Sequence, residues 1–303
     1  MKILICNDGS EPADNATQLG ATIAAACNAE VTLLGIIESS GKTEPILAAL
    51  QRGLQLLKDR KIPSELVTIT GEPIAEIIKR TEEVRFDLVV IGAMRKETRG
   101  PFWMSSKSYK IIKSIRPPVL VVMQKTSAIK RIVICTGGRK YIDNAVALTG
   151  QIARGMQASV TLFNVVPEPP ALYARLPRMR VNVRDVLASK SELGRNLREE
   201  KATLESLGVP TEVKLRRGPV LQEILNEIKG GDYDLVVTGS SLSHGNLRTY
   251  ILGDITREIV NRCNCAVLVV RAEMKDDRTA HGLTGWLSRL SRRVAPIKQA
   301  RAR

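Results

Sequence analysis

Aromatic side chains make up only 3% of this chain of 303 residues, and there are two histidines, His244 and His281. So few imidazoles exclude a histidine-rich metal centre and any mechanism that needs several of them. No apolar stretch approaches the ~20 residues that a helix needs to cross a bilayer. The five cysteines are an odd number and show no disulfide-framework spacing. The chain runs straight into a strand-like Ile3-Leu4-Ile5 rather than a secretory leader. Together these features point to a protein of the reducing cytoplasm.

What is present is aliphatic and basic. Hydrophobic residues make up 44% of the chain, and with so few aromatics the core must be built of Ile, Val, Leu and Ala. That composition suits buried parallel strands covered by helices. The length fits two domains of ~150 residues. Basic residues outnumber acidic ones 46 to 31, a net charge of +15.

The sequence repeats itself. Shifted by 129 residues, Lys2-Ile3-Leu4-Ile5-Cys6 falls on Arg131-Ile132-Val133-Ile134-Cys135, and Asp14-Asn15-Ala16 falls on Asp143-Asn144-Ala145. Fourteen of the 35 positions from Ile3 to Ile37 are identical in that register, which chance similarity between aliphatic strands does not explain. Further on, Asp87-Leu88-Val89-Val90 recurs as Asp234-Leu235-Val236-Val237 at an offset of 147, and Val119–Val122 recurs as Val267–Val270 at 148. The sequence therefore predicts two homologous domains, 1–125 and 129–271, with an insertion at about 167–185 in the second and a basic C-terminal segment, 272–303.

Each copy alternates short apolar runs with helical periodicity, as in Ile3–Cys6, then about 13–28, then Val31–Ile37. Alternation of this kind demands an α/β fold with a parallel sheet and helices on both faces. Ligands of such sheets bind at the carboxyl ends of the strands, near the switch in strand order. The residues there are Asp8-Gly9-Ser10, the loop after Gly92, and their counterparts.

These same residues carry a resemblance. Asp8-Gly9-Ser10 after strand one, Gly71-Glu72-Pro73 after strand three and the Asp87–Gly92 strand make the chain similar to two tandem universal stress protein domains. The resemblance implies two Rossmann-like, doubly wound domains, each a five-stranded parallel sheet of order 3-2-1-4-5, with dimerisation through strand five. In nucleotide-binding members, it implies, strand four runs into Gly-x2-Gly-x9-Gly-(Ser/Thr). There the first Asp contacts adenine, and the glycine loop and hydroxyl hold ribose and phosphates. Backbone N–H groups and closely approaching glycines suit that task.

On this pattern the first copy offers Asp8, Gly9, Ser10, Gly92, Arg95, Ser105, Ser106 and Ser108 as nucleotide-binding residues, with ATP and Mg²⁺ as the implied ligand. Arg95 replaces the second glycine. It either contacts phosphate through its side chain, with Lys96 and Arg99, or closes the site. The second copy offers Gly137, Gly239, Gly253 and Thr256. Gly137 stands where Asp8 should be, and Asp254 follows Gly253 where a hydroxyl belongs and would repel phosphate. That copy reads as a scaffold. The expected function is a non-catalytic regulatory binding protein of the stress type. The alternative, an ATP-hydrolysing or phosphoryl-transfer enzyme, rests only on the phosphate-loop remnants.

The charge is concentrated. From Arg271 to Arg303 there are nine basic and three acidic residues. Leu283, Trp286, Leu287, Leu290 and Val294 recur there at helical spacing with arginines between, a pattern suited to an anionic membrane surface or a partner groove, or to a solvated tail. The expected partners are thus another protein or a second copy through strand five, and an anionic surface through this segment. Specific nucleic-acid binding is not expected, because no recognition motif is present and aromatics for stacking are scarce.

Overall fold

The structure, a computed structural model, describes residues 1–38, 43–93, 106–126, 128–137, 143–166, 182–240 and 254–271. In chain order the first copy holds β1 (Lys2–Cys6), α1 (Glu11–Ala26), β2 (Glu30–Ile37), α2 (Thr43–Asp59), β3 (Ser64–Thr70), α3 (Pro73–Glu83), β4 (Leu88–Gly92), α4 (Ser106–Ser114) and β5 (Val119–Val122). The second holds β6 (Arg131–Cys135), α5 (Asp143–Met156), β7 (Ser159–Val166), α6 (Val183–Ala188), α7 (Glu192–Ser206), β8 (Thr211–Arg217), α8 (Val220–Gly230), β9 (Leu235–Ser240), α9 (Asp254–Arg262) and β10 (Ala266–Arg271). The short α6 has no counterpart and takes up the end of the expected insertion, with Asn182 as its cap; residues 167–181 lie outside the described residues.

Local chemistry sets the helix starts. Ser10 caps α1 by accepting the Ala13 N–H at 3.4 Å, Pro12 sits in the first turn, and Glu11 and Asp14 face the positive end of the helix dipole. Glu72 caps α3 through the Ala75 N–H at 2.7 Å. The repeat extends to the backbone. Asn28 and Gln157 leave α1 and α5 in the left-handed region at φ 50° and 52°, and Lys61 and Gly208 do so after α2 and α7 at 55° and 75°. The Asp of each Asp-Leu-Val-Val run also has a structural task. Asp87 accepts the Lys2 N–H at 2.8 Å, and Asp234 accepts those of Lys130 and Arg131 at 2.7 and 2.9 Å, so each ties down the start of its copy's first strand.

The strands form one sheet, of order β3-β2-β1-β4-β5-β10-β9-β6-β7-β8. Within each copy every pairing is parallel, and the copies meet where β5 and β10 pair antiparallel, Val119 opposite Val269 and Val121 opposite Val267. The edge through which the resemblance implies dimerisation is thus occupied from within the chain. Alternate residues of a strand enter opposite cores. Leu88 and Val90 enter the core that α1, α2, α5 and α7 help to build, and Val89 and Ile91 the one that α3, α4, α8 and α9 help to build. Two further contacts cross the seam. Gly155 lies against the Ala26 carbonyl where α5 meets α1. Arg271, buried at the end of β10, donates from Nη2 to the Ile112 carbonyl near the end of α4 at 2.6 Å. Residues 1–272 make up one compact unit.

Candidate functional site

Strand order reverses at β1 and β4 of the first copy, and their carboxyl ends open into a crevice of about 510 Å³. Its floor and walls are aliphatic, from Leu34, Ile36, Ile46, Ile77, Ile91 and Ile111, and its polar groups include Asn7, Asp8, Ser10, Glu38 and Ser108.

The loop after β1 is held from below. Asn7 is buried and donates from Nδ2 to Asp14 Oδ1 at 3.0 Å and to Thr17 Oγ1 at 2.9 Å, while its Oδ1 accepts the Gly9 N–H at 2.8 Å. Arg52 holds the other Asp14 oxygen at 2.7 Å. Gly9 has φ +80°, a conformation in which other residues are strained, and a Cβ there would press on the Pro45 backbone at 3.0 Å. Asp8 is exposed on this rigid turn. Its Oδ1 accepts the Ser10 N–H at 3.1 Å and hydroxyl at 2.6 Å, which leaves Oδ2 without a hydrogen bond among the described residues. A carboxylate so presented can accept from a ligand amine. Behind it Cys6 is inert as a nucleophile, since burial, and then the charge of Asp8, push its thiol up to about 12.

Gly92 ends β4 against the first turn of α1. A Cβ would overlap the backbone of Pro12 and Ala13, so glycine here is demanded by helix–strand packing whether or not a phosphate approaches. Ser108, buried in the first turns of α4, reaches the crevice. Ser106 opens α4. Arg95 and Ser105, with Lys96 and Arg99, lie outside the described residues. Of the first copy's expected residues, the structure brings Asp8, Ser10, Gly92 and Ser108 around one crevice. The apolar walls were not singled out from the sequence, because an isoleucine at a strand end has the same signature whether it faces a ligand or the core.

The second copy keeps Gly239 in the place of Gly92 but differs at other corresponding positions. Gly137 adds no side chain, and even a Cβ there would meet open space. Phe163, fully buried, stands in place of Leu34, and Thr238 in place of Ile91. Thr256, the counterpart of Ser108, is turned inward. Its hydroxyl donates to the Gly239 carbonyl at 3.0 Å and lies 3.2 Å from that of Thr238, tying α9 to the end of β9. Gly253 lies outside the described residues. Burial pushes the Cys135 thiol up to about 12, with Cys265 and Glu227 adding to it, the same inert setting as Cys6.

Known proteins agree with the duplicated architecture. The model of the universal stress protein family matches twice, over residues 1–123 and 128–271. Among curated proteins none matches. Among solved structures, a universal stress protein from Archaeoglobus fulgidus DSM 4304 is 16% identical with a TM-score of 0.65, covering 89% of this chain and 98% of that one. A functionally unknown protein from Pseudomonas aeruginosa PAO1 is 15% identical with a TM-score of 0.63, covering 95% and 97%. A shorter universal stress protein solved in complex with cAMP is 18% identical with a TM-score of 0.34 and covers 42% of this chain and 98% of its own. Two full family matches, one to each half of a sheet built by duplication, place this chain in the universal stress protein family.

Proposed function

We propose that the protein is a non-catalytic regulatory binding module of the cytoplasm that takes an adenine nucleotide in the crevice of its first copy and uses its second copy as a scaffold. The observation that carries this reading is the crevice itself. It joins a rigidly presented carboxylate oxygen, Asp8 Oδ2, to an aliphatic slot of a size suited to a nucleotide. The apolar walls accept the faces of a purine, Asp8 accepts from its exocyclic amine, and Ser10 and Ser108 line the same crevice. The basic residues Arg95, Lys96 and Arg99 follow β4 in sequence and supply the positive charge that a triphosphate requires. In the second copy Gly137 and the inward Thr256 remove two of these groups.

Isothermal titration of the full chain with ATP and Mg²⁺, and with AMP and cAMP, tests the reading. One site per chain is expected, weakened about tenfold or more by Asp8→Ala. Absence of heat at high protein concentration, or an unchanged affinity in D8A, overturns it. Phosphate release above a buffer blank would establish the enzymatic alternative instead. The concentration of charge from Arg271 to Arg303 supports a second contact, the docking of an anionic membrane surface. Co-sedimentation with acidic liposomes should fall on removal of residues 275–303, and equal binding without them would refute it.

A further inference from the structure

A polar cluster beneath α7 in the second copy plays no part in the nucleotide reading. Glu200, on α7, is 4% exposed, and it stands where α2 of the first copy has Gly53. Its Oε1 accepts the Thr136 hydroxyl at 3.2 Å, and its Oε2 is buried with no hydrogen-bond partner among the described residues. Thr136 follows β6 and precedes Gly137, the counterpart of Asp8. The Thr136 carbonyl accepts Asn164 Nδ2 at 2.7 Å, and its N–H donates to the Phe163 carbonyl at 2.9 Å, so the strand end is fixed to β7. One carboxyl group therefore links α7 to the end of β6.

The surroundings disfavour the charged form of that carboxyl. Burial pushes Glu200 up to about 7, the Thr136 hydrogen bond pulls it back only in part, and Asp143 at the start of α5 and Glu199 on α7 push it further up. Of the cations on the neighbouring elements, Lys214 and Arg216 of β8 pair with Glu227 and Arg154 of α5 is exposed. Arg198 of α7 donates to the carbonyls of Leu187 and Ser189, Lys201 pairs with Glu205 at 3.1 Å, and Arg184 of α6, beside Asp185, and Arg217 of β8 are exposed. Among the described residues none forms an ion pair with Glu200. Once ionised, the group carries a buried charge with a single donor, and the way to relieve it is to let water in by moving α7.

We propose that Glu200 is a proton-operated latch: protonated, it lets α7 seat against the end of β6, and ionised, it loosens α7 from that strand end. The first copy has no equivalent, since Gly53 carries no side chain and Asn7 is satisfied by Asp14 and Thr17.

Hydrogen–deuterium exchange on the full chain, followed between about pH 5.5 and 8.5, tests this, with the protection of α7 peptides taken as a ratio to that of α2 so that the intrinsic pH dependence cancels. In the wild type the ratio should fall about tenfold or more as pH rises through neutrality. Glu200→Gln should hold it high and flat. Thr136→Val, which removes the hydrogen bond that favours the ionised form, should move the midpoint to higher pH. A flat ratio in the wild type, or the same fall in E200Q, overturns the latch. Should E200Q fail to fold, a wild-type Glu200 carboxyl carbon that stays in its ionised state down to about pH 5 by NMR refutes it as well.

Discussion

The two copies share strands, helix ends and even the left-handed residues after their helices, yet they fill the same spaces with opposite chemistry. In the first copy α2 lies close on β2 through Gly35 and Gly53, and a Cβ at Gly53 would stand 2.9 Å from Leu33. In the second, those positions are Asn164 and Glu200, both buried and hydrogen bonded. On the other face Val67, Ile69 and Phe86 pack around α3. Their counterparts are Lys214, Arg216 and Tyr233, which converge on Glu227 of α8. Glu227 accepts Tyr233 OH at 2.8 Å, Lys214 Nζ at 3.2 Å and Arg216 Nη2 at 2.7 Å. Burial alone would raise the Glu227 carboxyl, but the hydrogen bonds from Tyr233 and Lys214, and the charges of Lys214 and Arg216, hold it below its ordinary value. The lesson is that a duplicated fold tolerates exchange of apolar for ionic filling where, as around Glu227, the buried carboxylate finds partners. The copy that kept an apolar crevice is the one that kept Asp8.

The largest effect is expected at the one place where the copies depend on each other. Leu120→Asp at the β5–β10 pairing buries an unpaired carboxylate opposite Leu268. It should remove about 4 kcal/mol or more and split a single thermal transition into two, seen by calorimetry. Next, Glu227→Ala strips the partner from Lys214 and Arg216 and should lose about 3 kcal/mol in denaturant unfolding. The change at the same position of the first copy, Arg80→Ala, removes only a 3.5 Å pair with exposed Glu65 and should lose under about 1 kcal/mol. Equal losses would show that the ionic filling contributes no more than the apolar one.

Glu200→Gln should act in the opposite direction, and its pH dependence follows from linkage. The folded-state value, about 7, lies above the ordinary 4.5, so stability contributed by Glu200 is full below about 4.5 and falls as pH rises to about 7. Glutamine should therefore raise stability by up to about 3 kcal/mol at pH 8 and change it little at pH 4.5. Glu227, whose value is depressed, works the other way. Its contribution is present above its ordinary value and is lost as pH falls below it. A small effect is expected for Gly53→Ala, about 1 kcal/mol of destabilisation, because the flexible Leu33 side chain can give way.

Much of this was legible in the sequence because the signals are local or repeated. The offset of 129 and its change to 147 placed two domains and an insertion. The helix cap at Ser10 and the turn at Gly9 could be read from a few adjacent residues. The site was legible only in part. Asp8 and Gly92 stood out by motif, but the same motif offered Thr256, whose hydroxyl the fold spends on the Gly239 carbonyl. Gly92 itself turns out to be required by the approach of α1. Glu200 gave no sign, since a glutamate on an amphipathic helix reads as a solvated residue until the facing strand is known.

By itself, then, the sequence determined that the chain is α/β, that it is a duplication and that its core is aliphatic. These follow from periodicity and backbone preference, which neighbouring residues encode. Only the tertiary structure decided that the two sheets are one, that β5 and β10 consume each other's edges, and that Arg271 of one copy holds a helix end of the other. It also decided which polar side chains are buried with partners and which carboxyl is left half-satisfied. Those properties depend on residues brought together from different elements, 64 positions apart for Thr136 and Glu200 and 159 for Ile112 and Arg271, and no local pattern records which of them will meet.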